Sequence, residues 1–179
     1  MRITGGSARG RRLKSPPQGV RPTSDTLREA IFNVLDARDA DYARVLDLYA
    51  GSGALGIEAL SRGAVRCDFV ERSAPNAALV RENLALAGVA ERGEVHQLPV
   101  ERAQERLQGP YSLVLADPPY DDETALGALG RLLQPPLVHE GTTLVLEHSR
   151  RRDAPETVGA LRLAWSRRYG DSQVSIYTG

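Results

Sequence analysis

The sequence predicts an α/β fold in which a mostly parallel sheet is covered by helices on both faces. Strand-like and helix-like segments alternate along residues 44–147, which is typical of a parallel sheet. The chain then ends in two strand-like segments joined at Gly170-Asp171, which predicts a closing antiparallel hairpin. The predicted strands are 44–49, 66–71, 94–98, 111–116 and 142–147, the predicted helices are 54–61, 74–87, 100–107 and 123–133, and the predicted hairpin strands are 161–169 and 172–177.

Local signals support each element in turn. The segments 44–49 and 111–116 are short, apolar runs and predict strands, whereas 94–98 gives a weaker strand signal. Gly88 ends the predicted helix 74–87, and Pro135-Pro136 follows the helix 123–133.

The first 40 residues have a separate pattern. Ile3 and Leu13 flank a glycine-rich turn, so residues 1–15 predict a short hairpin. After a Pro- and Gly-rich break at 15–19, Thr23 or Ser24 can cap a helix that runs to about residue 36. We therefore divide the chain into a basic N-terminal extension, residues 1–40, and an α/β domain, residues 41–179. The predicted helix has an apolar face of Leu27, Ile31, Val34 and Leu35.

Composition excludes several protein classes. The chain has 179 residues, 41% of them hydrophobic and 26% charged, which is ordinary for one globular domain. Its single cysteine, Cys67, cannot build a disulfide scaffold and lies in an apolar run, so we expect a core residue and a reducing, cytoplasmic location. No apolar run approaches the ~18 residues of a membrane helix. We expect a monomer without membrane contact.

Charge is distributed unevenly, although the net charge is zero. Residues 1–24 hold six cations and no acid, so the remainder of the chain is acidic. A basic arm on an acidic body suggests a polyanionic partner, and a solvated basic tail is the alternative. Because the α/β pattern begins only near Arg44, we expect that removing residues 1–15 leaves a folded protein. The six cations are Arg2, Arg9, Arg11, Arg12, Lys14 and Arg21.

A glycine-rich loop follows the first predicted strand of the α/β domain. Gly51, Gly53 and Gly56 form a G-x-G-x-x-G pattern between a strand and a helix, and Glu71 ends the next strand. This arrangement predicts a nucleoside cofactor whose ribose hydroxyls bind Glu71, and a merely structural tight turn is the alternative. Asp47 would repel the pyrophosphate of NAD but attract the sulfonium and ammonium groups of S-adenosylmethionine, so the latter is favoured.

A second motif, Asp117-Pro118-Pro119-Tyr120, follows the predicted strand 111–116. Ligand sites in open α/β sheets lie at the carboxyl ends of strands, so both motifs can face one crevice. The two prolines make a stiff turn that presents the Asp117 carboxylate and the Pro118 carbonyl as acceptors. Such acceptors suit the exocyclic amine of a nucleobase, and Tyr120 can stack on a base taken out of its helix.

At these motifs the sequence resembles class I S-adenosylmethionine-dependent methyltransferases of exocyclic amines. More narrowly, it resembles the RsmD family of bacterial small-subunit ribosomal RNA guanine-N2 methyltransferases. The resemblance covers nearly the whole chain, and its more family-specific parts are the basic hairpin and Arg21-Pro22-Thr23. The shared segments are Gly5-Gly6, 9–13, 21–23, 28–33, 46–64, Glu71, Asn83-Leu84, 117–120 and 169–171.

The resemblance implies a Rossmann-like fold with a seven-stranded sheet, and transfer of a methyl group to one guanine of 16S rRNA in the 30S subunit or its assembly intermediate. The implied catalytic residues are Asp117, Pro118, Pro119 and Tyr120. The expected cofactor-binding residues are Asp47, Tyr49, Ala50, Gly51, Ser52, Gly53, Gly56, Glu71, Arg72, Leu98 and Val100. The expected RNA-binding residues are Arg9, Arg11, Arg12, Lys14, Arg21 and Thr23.

One position departs from the family pattern. Pro99 stands where such enzymes often carry a polar residue for the adenine amine, so we expect the backbone at Leu98 or Val100, or Gln97, to hold adenine. Other interpretations stay open: an adenine-N6 methyltransferase of DNA or RNA, a non-catalytic RNA-binding assembly factor, or an NAD-dependent oxidoreductase. We expect no metal site, because the histidines are scattered without partners at metal-ligand spacing: His96, His139 and His148. The basic run at 150–152 can touch RNA or be a solvated loop.

Overall fold

One eight-stranded sheet organises the protein in the computed structural model, which describes residues 1–16, 24–119, 124–151 and 153–179. The strands are β1 (Arg44–Leu48), β2 (Arg66–Val70), β3 (Gly93–His96), β4 (Leu113–Ala116), β5 (Thr143–Ser149), β6 (Thr157–Val158), β7 (Leu161–Tyr169) and β8 (Ser172–Thr178). The helices are α1 (Asp25–Ala37), α2 (Ala54–Ser61), α3 (Ala74–Ala87) and α4 (Ala125–Leu132), with 3-10 helices at Ala90–Arg92 and Val100–Glu105.

The strand order is β3-β2-β1-β4-β5-β8-β7-β6. The first five strands in this order, β3, β2, β1, β4 and β5, are parallel to one another. The last three, β8, β7 and β6, pair in antiparallel fashion, which confirms the predicted fold class. The sheet has eight strands rather than the implied seven, because Thr157 and Val158 add a two-residue strand at the edge. Two residues are too few to produce a periodic signal in the sequence.

Helices cover both faces of the sheet. One core layer lies between the sheet and α1, α2 and α3, and includes Phe32, Ile57 and Phe69. The other lies under α4 and the second 3-10 helix. That 3-10 helix replaces the predicted helix 100–107: its buried residues Val100 and Ala103 are three apart, which matches three residues per turn. Within the described ranges, no helix is both long and apolar enough to cross a membrane.

The N-terminal arm, residues 1–15, is folded against the helices. Arg2 and Arg12 form an antiparallel bridge, and the Ile3 amide donates to the Arg11 carbonyl at 3.1 Å. Ile3 and Leu13 are buried in the same core layer as α1 and α2. The arm therefore contributes apolar surface to the core.

A buried ion-pair network fastens this arm. Glu58 on α2 is fully buried and accepts hydrogen bonds from the Thr4 amide at 2.9 Å, the Thr4 hydroxyl at 2.7 Å and the Gly5 amide at 2.8 Å. Arg28 of α1, also fully buried, donates from Nε to Glu58 at 3.2 Å, and Arg62 donates at 3.0 Å. Burial opposes ionisation of Glu58, but these donors and charges outweigh it and lower its pKa.

These contacts correct one expectation. Removal of residues 1–15 would expose apolar residues of the core. It would also leave the buried Glu58 carboxylate without the backbone amides that donate hydrogen bonds to it, so the arm is part of the folded unit. The division of the chain at residue 40 stays a prediction. The helix α1 is capped by the Ser24 hydroxyl, which accepts from the Leu27 amide, while Thr23 lies outside the described residues.

Candidate cofactor and catalytic site

The glycine-rich loop lies between β1 and α2, as predicted. Gly53 adopts a left-handed φ of 77°, and a Cβ there would lie 2.9 Å from the Val80 side chain. A Cβ on Gly56 would lie 2.4 Å from the Phe69 ring and 2.7 Å from the Cys67 sulfur, so this glycine lets α2 pack directly on β2. The side chains of Val80, Phe69 and Cys67 therefore pack closely against the loop and the start of α2, and the loop lies at the carboxyl ends of the strands.

Asp47 lies beneath this loop. Its side chain is buried, and one carboxylate oxygen accepts a hydrogen bond from the Gly56 amide at 2.8 Å. Burial raises the pKa of Asp47 to about 8, with the nearby Glu71 charge adding to the rise and the Gly56 amide opposing it. A cation brought close to Asp47 would stabilise its ionised form.

Glu71 is held at the end of β2 by the backbone around it. Its two carboxylate oxygens accept from the Gly51 amide at 2.8 Å and from the Ser73 amide at 2.7 Å. The Glu71 amide donates to the His96 carbonyl at 3.1 Å. The carboxylate is thus fixed beside the glycine loop, where the sequence predicts a ribose contact.

The segment that follows β3 lies on the other side of Glu71 from the glycine loop, because β3 neighbours β2 on the side away from β1. The Leu98 amide donates to the His96 carbonyl at 3.1 Å, and the Val100 side chain is buried. The His96 carbonyl therefore joins Glu71 to the Leu98 segment. Arg72, another predicted cofactor contact, is exposed.

The structure reveals a polar cluster that sequence reasoning missed. Asp68 accepts from His96 at 3.1 Å and from the Tyr111 hydroxyl at 2.7 Å, and Arg44 lies 3.7 Å away. Burial opposes ionisation of Asp68, but these donors outweigh it and lower its pKa. Asp68, Glu94 and His96 bring potential metal-ligand atoms within 4.8 Å of one another, contrary to the expectation that the histidines have no such neighbours. Both Asp68 oxygens already accept protein hydrogen bonds, and Arg44 opposes a cation.

Asn83 on α3 belongs to the segments that resemble the family, but the sequence assigns it no role. Its side chain is fully buried and donates to the Ser52 carbonyl at 2.9 Å and to the Lys14 carbonyl at 3.0 Å. It also accepts from the Lys14 amide at 2.8 Å. Asn83 thereby joins the glycine loop to the N-terminal arm, a link between distant segments that no local pattern indicates.

The second motif reaches the same edge of the sheet. Leu48 at the end of β1 is in register with Val70 of β2 and with Ala116 of β4. Glu71 and Asp117 each follow these strand ends directly, so they flank the residue that follows β1, Tyr49. Tyr49 itself has a left-handed φ of 58° at the start of the loop.

The structure describes three of the four predicted catalytic residues. Asp117 is half-buried, Pro118 is buried and Pro119 is exposed, while Tyr120 lies outside the described residues. The motif therefore combines a packed proline with a partly accessible carboxylate. The role of this turn in presenting acceptors to a ligand stays a prediction.

The predicted RNA-binding cations lie on the arm. Arg9, Arg11, Arg12 and Lys14 are exposed, Lys14 forms an ion pair with Glu82, and Arg21 and Thr23 lie outside the described residues. The turn of the arm contacts the far end of α2, since the Ser7 amide donates to the Ser61 carbonyl at 2.7 Å. Most of these cations are therefore distant from the glycine loop at the other end of α2.

Comparison with known proteins identifies relatives of this chain. A relative named "Putative rRNA methyltransferase YlbH" from Bacillus subtilis is 36% identical over 99% of this chain and 98% of its own length. "Ribosomal RNA small subunit methyltransferase D" of Escherichia coli is 38% identical over 67% of this chain, and the match spans 60% of that protein. The solved structure titled "Putative methyltransferase yhhF from Escherichia coli" matches with a TM-score of 0.85 and 31% identity, and it covers 99% of this chain and 97% of its own.

The family described as "Conserved hypothetical protein 95" matches residues 1–178. This match extends from the N-terminal arm through the glycine loop and Asp117-Pro118-Pro119 to the last strand. The protein therefore belongs to this family, which is the RsmD family that its motifs resemble.

Proposed function

We propose that this protein is an rRNA methyltransferase that uses S-adenosylmethionine to methylate the exocyclic N2 amine of a guanine in 16S rRNA. The observation that carries the proposal is the register of β2, β1 and β4. It brings the glycine loop, Glu71 and Asp117 to one edge of the sheet, with Glu71 and Asp117 two strands, or about 10 Å, apart across the loop. The names of the YlbH and methyltransferase D relatives support rRNA as the substrate class.

The residues at this edge fit a cationic nucleoside cofactor. Glu71 is positioned for the ribose hydroxyls, and the Leu98 and Val100 segment forms the wall proposed for adenine. Asp47 would stabilise the positively charged end. S-adenosylmethionine supplies an electrophilic methyl group when bound.

The Asp117 motif would orient the amine. The Asp117 carboxylate and the Pro118 carbonyl can accept its two N–H groups, which aligns the nitrogen lone pair with the methyl donor. Tyr120 would stack on the extruded base. Positioning in this way supplies much of the rate acceleration, and no covalent bond to the enzyme is required.

The proposed substrate, 16S rRNA in the 30S subunit or in an assembly intermediate, is a polyanion. The arm cations Arg9, Arg11, Arg12 and Lys14 are proposed to bind its phosphates. Arg21 and Thr23, which lie outside the described residues, are proposed to bind RNA as well. We propose a cytoplasmic monomer, since the substrate is ribosomal.

Radiolabelled methyl transfer tests this function. Wild-type protein is incubated with naked 16S rRNA, 30S particles and duplex DNA, and labelled nucleosides are identified by mass spectrometry. N2-methylguanosine in either ribosomal substrate is the expected product. N6-methyladenosine would indicate another amine specificity, and RNA binding without transfer by a protein that binds S-adenosylmethionine would indicate a non-catalytic assembly factor.

A further inference from the structure

The hairpin of β7 and β8 turns at the same edge of the sheet as the proposed active site. The register runs from Glu147 on β5 through Val174 on β8 to Arg167 on β7. On β4, Ala116 is paired with Leu146, the residue before Glu147. Three strand spacings of about 4.8 Å place the Arg167 backbone roughly 14 Å from the end of β4.

The tip of this hairpin carries exposed cations. Arg167 and Arg168 precede the turn at Gly170-Asp171, and Arg151 lies on the loop after β5, beside the same tip. Arg150 on that loop forms an ion pair with Asp171 at 3.2 Å. Within the described part of the chain, Arg151, Arg167 and Arg168 form no ion pair with an acid. Their charge is therefore open to an outside anion.

An aromatic ring adds a second feature suited to RNA. The Arg167 guanidinium lies 5.5 Å from the centroid of the Tyr169 ring. Tyr169 is partly buried against the core, so the ring holds the Arg167 guanidinium in place, and a guanidinium over a ring keeps its outer N–H groups free to bind phosphate. A cationic surface with a ring beside it suits nucleic acid better than a simple inorganic anion.

Arg9 and Arg11 of the N-terminal arm lie away from this place, whereas the Lys14 backbone is joined to the glycine loop through Asn83. The eight residues of α2 separate the glycine loop from Ser61 by about 12 Å, and the arm's turn contacts Ser61. Arg11 likewise donates to the Leu86 carbonyl near the end of α3. Cations near Ser61 and Leu86 would contact RNA distant from the target base, whereas the hairpin tip lies at the correct edge.

We propose that Arg151, Arg167, Arg168 and Tyr169, here named the hairpin patch, bind the RNA backbone next to the target nucleotide. The inference rests on the proposed function and adds a contact surface to it. The occupant is RNA rather than protein, because the cations lie at the edge of the sheet that holds the proposed nucleobase site and have no acid partner among the described residues.

Protection of the sheet edge is the competing explanation. The short strand β6 pairs with β7 only at Leu161 and Arg162, so the outer side of β7 beyond Arg162 has no strand neighbour in the described chain. Charged residues on such an edge discourage pairing with other chains. That role requires charge but no phosphate contact, so RNA affinity separates the two explanations.

The experiment compares three double variants with wild-type protein. Arg167→Gln/Arg168→Gln removes both charges, Arg167→Lys/Arg168→Lys keeps them, and Arg66→Gln/Arg106→Gln removes two exposed charges elsewhere. Binding to a 16S rRNA transcript is measured by fluorescence anisotropy across salt concentrations, together with RNA KM, kcat and S-adenosylmethionine affinity. The quaternary state of each variant is measured by light scattering.

The Arg167→Gln/Arg168→Gln variant should bind RNA about 20-fold more weakly than wild type at 0.15 M salt. Its slope in a plot of log affinity against log salt concentration should be flatter by roughly 1.4–1.8, which corresponds to the loss of two phosphate contacts. RNA KM should rise while S-adenosylmethionine affinity stays unchanged. The lysine pair should retain most of the affinity, and the control pair should resemble wild type.

Three outcomes would overturn the proposal. The first is a glutamine pair with the affinity and slope of the control pair. The second is self-association of that variant with normal RNA binding, which would assign the cations to edge protection. The third is wild-type protein that neither binds nor methylates rRNA, which would overturn the proposed function as well. Normal wild-type activity together with an unaffected Arg167→Gln/Arg168→Gln variant would overturn the role of the hairpin patch alone.

Discussion

Affinity for S-adenosylmethionine should rise with pH, because Asp47 must ionise to attract a cation. Its free-state pKa is about 8, so only a minority of molecules hold the charged carboxylate at neutral pH. If binding lowers that pKa well below 6, the ionised fraction available for binding rises about ninefold between pH 6 and pH 7. The affinity should rise by the same factor, which corresponds to ~1.3 kcal/mol.

Isothermal titration calorimetry measures this effect directly. Titrations at pH 6.0, 6.5 and 7.0 remain below the ordinary range of the cofactor's α-amino group, roughly 7.7–8.0. Repeating them in buffers of different ionisation enthalpy should reveal close to one proton released per cofactor bound at pH 6 to 7. The Asp47→Asn variant should bind more weakly and lose the pH dependence.

5′-Methylthioadenosine provides the ligand control, because it has neither the ammonium nor the sulfonium charge. Its affinity should be nearly independent of pH over the same interval. A wild-type affinity for S-adenosylmethionine that stays constant from pH 6 to 7 would refute the reasoning. An equal slope in the Asp47→Asn variant would show that another group titrates.

Three further predictions concern the arm and the site. Glu58→Ala should destabilise the protein by about 3–5 kcal/mol in urea unfolding, because it removes the buried acid that pairs with Arg28 and leaves the partly exposed Asp25 to compensate that charge, and a loss below ~1 kcal/mol would contradict this. Because folding lowers the pKa of Glu58, the stability it adds is complete above its unfolded pKa of roughly 4.3 and should be lost as pH falls, which unfolding at pH 3 to 6 checks. Glu71→Gln should weaken S-adenosylmethionine binding by about 1.5–3 kcal/mol in calorimetry, and an unchanged dissociation constant would exclude the ribose contact. Asp117→Asn should abolish radiolabelled methyl transfer while cofactor affinity stays within about twofold, and wild-type turnover would remove Asp117 from the mechanism.

The sequence predicts those parts of the molecule that depend on local spacing. Gly51, Gly53 and Gly56 lie between a strand and a helix as their pattern requires, and Cys67 is buried as its apolar run indicates. The position of Glu71 at a strand end also follows from a short apolar segment. These features depend on a few adjacent residues, so the sequence alone can predict them.

Contacts set by register or burial could not be predicted in the same way. Asp68 contacts His96 because β2 and β3 pair Asp68 with Glu94 and Val70 with His96, and a one-residue slip would separate them. The sequence of α1 gives no reason to bury the arginine Arg28 completely, because charged residues are usually exposed. Its charge is compensated by Glu58, an acid from another helix, together with Asp25 of α1.

The arm combines a structural role with a proposed functional one, and different atoms carry the two. Its structural contacts come from the Thr4 and Gly5 backbone and from the Ile3 and Leu13 side chains, which face Glu58 and the core. The arm's exposed guanidinium groups contribute little to that packing. Deleting residues 1–15 would therefore remove the contacts that stabilise α2, the helix that begins at the glycine loop. Cofactor binding would then fall for reasons unrelated to RNA. Neutralising Arg9 and the other exposed cations preserves this support, so only charge substitution can show whether the arm binds RNA.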